Sequence, residues 1–194
     1  MAAGLAIGFA AGSATAQTPP TWIEYEAYRG LHAAAHRNNV AAIRTAGKAG
    51  LDARDGYGRT PLMVAAYARN YDALRALIEK GADLDALEND RYDVVTIESV
   101  MDNTKTLGIV LKAGASAKQI TSPYDGTALI ATVHLGHAKV LKMLIAAGAP
   151  LDYFNNLNWT ALIESIMLGD RGPNHIECLR ALVKAGANVN IPDG

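Results

Sequence analysis

"RDGYGRTPLMVAAYARNYDALRALIEKGADLDA", residues 54–86, carries the punctuation of two short helices and two turns. Thr60 stands where a helix N-cap belongs, and Pro61 falls in the first helical turn, where its missing N–H costs nothing. Ala65 and Ala66 keep one face of that helix small, so a neighbouring helix can approach closely. Leu74, Leu77 and Ile78 recur at helical spacing and predict a second helix. Gly81 suits the left-handed position that ends it, and Gly58 suits a tight turn. A unit of helix, turn, helix and β-turn with so little core cannot fold alone and must stack on copies of itself.

The copies are present. Leu62, Val95, Leu129 and Leu162 follow one another at steps of 33, 34 and 33, and Gly81, Gly114 and Gly148 at steps of 33 and 34. Upstream, "GLHAAAHRNNVAAIRTAGKAGLDARD" aligns through Leu31 and Gly50. Five units result, at about 28–53, 54–86, 87–119, 120–152 and 153–190, within a domain of residues 21–194. In the fifth, Leu162 to Gly186 is longer than the equivalent span elsewhere, which puts an insertion at 170–174 in the loop between its helices.

"DGYGRTPLMVAA" and "DGTALIATVHLGH" are similar to the D-x-x-G-x-T-P-L-H-x-A-A-x-x-G-H pattern of the ankyrin repeat. "ALRALIEKGADLDA", "VLKMLIAAGAPLD" and "CLRALVKAGANVN" resemble that family's second-helix motif. The resemblance covers residues 30–194 and implies an all-α ankyrin-repeat solenoid. It also implies a binding scaffold whose partner, another protein, meets the turn tips and the concave face of the first helices. No catalytic residue and no cofactor is implied.

The copies are unequal. Copy one has Ala46-Gly47 where two large apolar residues belong, which suits an N-terminal cap, and "WIEYEAYRG" reads as a helix closing that end. Copy three has Asp93-Val94-Val95-Thr96 in place of T-P-L-H, Glu98 in place of alanine, and Gly108 inside its second helix. Glycine there costs about 1 kcal/mol relative to alanine, so copy three is the expected weak joint. "KAGANVNIPDG" at 184–194 aligns Gly186 with Gly81 and Asp193-Gly194 with Asp55-Gly56, the opening of a sixth β-turn at 191–194 and the expected mark of a truncated array.

Residues 1–20, "MAAGLAIGFAAGSATAQTPP", differ in kind. A charge-free stretch of small and apolar residues precedes Ala14-Thr15-Ala16, the small-residue pattern of a bacterial secretory signal with cleavage after Ala16. A basic residue before that stretch is missing, and a cytoplasmic array with a plain tail is the alternative. No cysteine follows to carry a lipid, so no stable membrane anchor is expected after cleavage. The sequence is half apolar but only 6% aromatic, with a net charge of −1; that favours close-packed helices and presents no basic stripe for nucleic acid. The lone cysteine, Cys178, falls at an apolar helix position and reads as a buried hydrophobe.

Candidate contact residues lie at two kinds of position. Tip positions hold Tyr57, Arg59, Arg91, Tyr92, Tyr124, Asn156, Asn158 and Trp159; the first-helix face adds Tyr67 and His134. Tyrosine and tryptophan supply large, rigid contact area. The alternative at each tip is that the aromatic packs on its neighbour. Asn158-Trp159-Thr160 is formally a glycosylation sequon, relevant only in a eukaryotic secretory route. His134 and His137, at i and i+3, could begin a metal site, but His137 falls where the family pattern itself has histidine, and no third ligand is near in sequence. The expected function is protein binding in the periplasm, as a scaffold or modulator of an envelope protein. An inhibitor or immunity-type protein and a metal-binding or enzymatic protein using His134/His137 are the alternatives.

Overall fold

The structure is a computed structural model that describes residues 18–192; the leader-like residues 1–16 and Asp193-Gly194 lie outside the described residues. A six-residue helix, α1 (Trp22–Ala27), precedes five antiparallel helix pairs: α2 (Gly30–His36) with α3 (Val40–Thr45), α4 (Pro61–Tyr67) with α5 (Tyr71–Glu79), α6 (Val94–Val100) with α7 (Thr104–Lys112), α8 (Ala128–His134) with α9 (Ala138–Ala146), and α10 (Ala161–Met167) with α11 (Pro173–Ala185). The only strands among the described residues are β1 (Ile120–Thr121) and β2 (Gly126–Thr127), an antiparallel pair framing one turn tip, Ile120 opposite Thr127. The solenoid expected from the repeat is therefore the fold.

Local chemistry sets the helix ends. Thr60, Thr127 and Thr160 each accept a hydrogen bond from the backbone N–H three residues on. Copy three departs from T-P-L-H and keeps the cap, because Asp93 accepts from Thr96 N at 2.7 Å. Gly81 stops α5's turn at φ +89°, and Gly186 caps α11 at φ +96°. Copy one's second helix ends early, at Thr45 before Ala46-Gly47.

One continuous core runs through the stack, with Leu62, Leu74, Leu77, Leu107, Leu129 and Leu141 almost wholly buried. Ala65 and Ala66 are fully buried, which lets α2 and α4 lie close. Cys178 sits in the same core, where burial pushes its thiol up to about 11 and leaves little thiolate at neutral pH.

Polar ties join successive repeats at the turn after each first helix. Asn70 Nδ2 donates to Ala35 O at 2.9 Å. The equivalent His137 bonds Ser99 O through Nδ1 at 2.9 Å. The fifth repeat has Asp170 at that position, with the insertion beside it. Two inserted residues widen the loop to 168–172, and the other three start α11 early, at Pro173. The sequence places the whole insertion in the loop, but part of it is helix: His175 on the added turn bonds His134 O through Nε2 at 3.2 Å and Asp170 Oδ1 through Nδ1 at 2.8 Å. The tie lost at Asp170 is rebuilt by His175. Copy three alone lacks one, because Asn103 Nδ2 turns to Thr106 Oγ1 of its own helix at 2.8 Å. An open cleft of about 200 Å³ separates α5 and α7 at that joint, lined by Arg75, Ile78, Glu79, Ile109, Lys112 and Ala113.

The candidate partner-binding face

The turn tips are folded by their own first residue. Asp55 Oδ1 accepts from Tyr57 N and Arg59 N, Glu88 Oε1 from Asp90 N and Tyr92 N, and Asn155 Oδ1 from Leu157 N and Trp159 N. Backbone bonds then stitch tip to tip: Asn89 N to Tyr57 O, Ser122 N to Arg91 O, and Asn156 N to Tyr124 O, each at 2.9 Å. The result is a ridge of fixed spacing along the stack.

Of the residues singled out from sequence, Tyr57, Arg91, Tyr124, Asn156 and Asn158 are exposed on this ridge, Tyr124 at 60%. Three expectations are corrected. Arg59 is 1% exposed, Tyr92 3% and Tyr67 9%. Arg59, Tyr92 and Trp159 share one position, immediately before the N-cap, and its side chain turns in under the tip. Tyr92 there packs with Tyr67, Met63, Ala86 and Ile97, a small second core on the first-helix face. Trp159 is half-buried.

Arg59 sits in an ion-pair cluster. Its Nε donates to Asp55 Oδ2 at 2.7 Å, Nη2 pairs with Glu24 of α1, and Nη1 donates to Thr18 O at 3.0 Å. Tyr28 O–H donates to the same Asp55 oxygen at 2.6 Å. Burial alone would raise the Asp55 carboxyl; the bonds from Tyr28 and Arg59 override it and hold it below its usual value. None of these partners is near Arg59 in sequence except Asp55.

The histidines also have partners. His134 Nδ1 meets the buried Glu164 at 3.1 Å, and this hydrogen bond, against some desolvation, raises the imidazole above its ordinary value. His32 bonds Arg59 O at 2.9 Å. His134 therefore ties forward to α10 while His137 ties back to α6, so the two rings do not converge. Among the described residues no group of three or more His, Cys, Asp or Glu could hold a metal ion. The carboxylate partner of His134, not visible near it in sequence, is one repeat away.

Glu98 is the anomaly of this face. It is fully buried where the first two repeats carry Ala34 and Ala65, and its two carboxyl oxygens have no hydrogen-bond partner among the described residues. Burial pushes its carboxyl up to about 8; the neighbouring Thr106 and Asn103, whose side chains hydrogen-bond each other rather than this carboxyl, and the charge of Arg69 offset only part of the cost.

Arg91 carries backbone strain at an exposed tip, with φ +64° at the position held in copy two by Gly58. A side chain at Gly58 would be strained, since its φ is +79° and an added Cβ would lie 2.9 Å from the backbone nitrogen of Asn89. Arg91→Gly should raise stability in urea unfolding by about 1 kcal/mol, because a left-handed arginine costs about that much and its exposed pair with Asp125 returns little. An unchanged midpoint would show that the Asp125 pair balances the strain.

Stacked helix pairs with stitched turns define a repeat scaffold, and comparison with known proteins agrees. The family model for ankyrin repeats matches residues 16–88 and 98–193, and the chain belongs to the ankyrin-repeat family. YahD of Escherichia coli K12, whose name places it among ankyrin-repeat proteins, is 26% identical over 163 residues, covering 82% of this chain and 81% of its own. Human inversin is 28% identical over 168 residues, but that stretch is 15% of its length. An ankyrin repeat domain from Acinetobacter baumannii AYE superposes with a TM-score of 0.77 at 41% identity, covering 84% of both chains.

Proposed function

We propose that this chain is a protein-binding module exported to the bacterial periplasm, where it scaffolds or modulates an envelope protein. The observation that carries the reading is the stitched ridge of tips, which presents Tyr57, Arg91 and Tyr124 to solvent at fixed spacing. Tyrosine on a rigid backbone loses little entropy on contact, which favours it at binding hot spots. Family membership supports protein–protein interaction as the general role. Export rests on the small-residue pattern at Ala14-Thr15-Ala16 after an apolar run.

One preparation tests both halves. The protein is isolated from its native cells, its N-terminus is sequenced, and residues 17–194 are used as bait in envelope extract beside Tyr57→Ala/Tyr124→Ala. The expected results are an N-terminus at Gln17 and a captured protein lost in the double variant, with a melting temperature close to the parent's. A retained Met1 sinks export. Equal capture by both baits sinks the tip reading.

A further inference from the structure

We infer that residues 18–27 are a strap that occupies the first-helix face of repeats one and two, in the place of an acidic, aromatic-bearing segment of a partner protein. The inference rests on the reading of this face as a binding surface. The strap's own contacts define what the face accepts. Glu24 brings a carboxylate to Arg59, Thr18 brings a main-chain carbonyl to the same guanidinium, and Tyr25 stacks on His36 with ring centroids 3.8 Å apart and planes 14° from parallel. His36 occupies on α2 the position that Tyr67 and His134 occupy on their helices, so the strap lies on the column of first-helix residues expected to meet a partner.

Two observations mark it as a replaceable occupant. First, it is weakly built. Helix α1 has six residues, none buried, held by a capping box between Thr21 and Glu24. A helix that short has little stability of its own. Its Trp22 and Ile23 point to solvent, 72% and 78% exposed, so its apolar grip is limited to the buried Pro20 and the half-buried Tyr25. Second, the fit is incomplete. His36 Nδ1 is buried beneath Tyr25 without a hydrogen-bond partner among the described residues. A segment that kept the carboxylate and the ring and added a polar group to this nitrogen would bind better than the strap, since an unpaired buried polar atom is costly. The cluster around Arg59 also favours such a ligand: with the strap away, the guanidinium keeps Asp55 and frees the Nη1 and Nη2 donors that Thr18 and Glu24 now occupy.

The test uses a fluorescent peptide of residues 18–27, TPPTWIEYEA, titrated against the full chain and against Glu24→Ala/Tyr25→Ala in the full chain. Both substitutions are in the strap, so a matching far-ultraviolet spectrum and a single cooperative melting transition above the assay temperature certify the array, even where the loss of the Glu24–Arg59 pair lowers that temperature. Peptide binding tighter to the double variant than to the parent is the expected result, by about tenfold for a peptide Kd of about 0.1 mM and about twofold for one of about 1 mM, because the parent's own strap competes at an effective concentration of about 1 mM. Binding should vanish when the peptide itself carries Glu24→Ala and Tyr25→Ala. Equal binding to both proteins, or none to the double variant at about 2 mM peptide, overturns the strap. Neither outcome depends on Tyr57 or Tyr124. Loss of the strap with intact tip-dependent capture refutes this inference alone, and the reverse refutes the tip reading alone.

Discussion

Replacing Glu98 with alanine stabilises the protein by about 2–4 kcal/mol at pH 8 and destabilises it by about 1–2 kcal/mol at pH 4, where only the lost burial remains. The carboxyl holds its proton to about pH 8 in the folded chain, against an ordinary value of 4.5. Between those values the unfolded chain has released the proton and the folded chain has not, so stability falls as pH rises. Alanine has no proton to keep and escapes that penalty. Against the gain stands the burial of about two methylenes, worth about 1.6 kcal/mol. The position tolerates alanine, since Ala34 and Ala65 fill it in the first two repeats. Urea unfolding of both proteins at the two pH values measures the effect; a variant no more stable at pH 8 than the parent would sink it. Glu98→Gln should flatten the pH dependence while keeping the shape.

The same residue explains where the stack opens first. The joint between repeats two and three lacks the side-chain tie made by Asn70, His137 and His175 at the others, and its second helices are parted by a cleft. Gly108 lies in α7, facing Met143 rather than the joint, so it weakens the helix and not the contact. Amide exchange should therefore be fastest at α6 and α7 among the three internal helix pairs and slow when Glu98 becomes alanine. Copy three as best-protected repeat would be the contrary result.

What could be read without coordinates follows from range. Caps and glycine stops are set by residues three to ten apart, and Thr60, Pro61 and Gly81 disclosed them; the period is the recurrence of that local pattern at steps of 33 and 34, disclosed by the spacing of Leu62 to Leu162. Even the departure at Asp93 was legible in kind, because aspartate caps as threonine does. The contact residues were less so. Whether a side chain at the pre-cap position faces solvent depends on what covers it. Arg59 is covered by Glu24 and Thr18, 35 and 41 residues upstream. Tyr92 is covered by Tyr67 of the preceding repeat. A tip position is not a tip side chain, and no local pattern separates Tyr57 from Arg59. Likewise "GDRGPNH" read as loop because it breaks the period; Pro173 at a first helical position was the sign of an earlier helix start. His175 could be recognised as the displaced tie only once it was seen bonding His134 O.

Arg59→Ala should cost about 3–5 kcal/mol, the range for breaking a buried ion pair on one side. The guanidinium uses Nε, Nη1 and Nη2 on three different acceptors, Asp55, Thr18 O and Glu24. Removing it leaves the Asp55 carboxylate with Tyr28 and backbone donors but no cation, in a site where its side chain is 9% exposed. Asp55 is depressed in the folded chain, so its contribution is present above its ordinary 3.8 and lost as pH falls. In the variant that depression should shrink, and the stability difference between parent and variant should narrow below pH 4. Arg59→Lys should recover only part of the loss, because an ammonium is a point charge without the planar fork that reaches three acceptors. Glu24→Ala should cost little more once Arg59 is gone, the mark of residues acting through one contact. An Arg59→Ala protein within about 1 kcal/mol of the parent at pH 7 would mean that the strap and the second turn are held by packing, and that the guanidinium's burial costs as much as its pairs return.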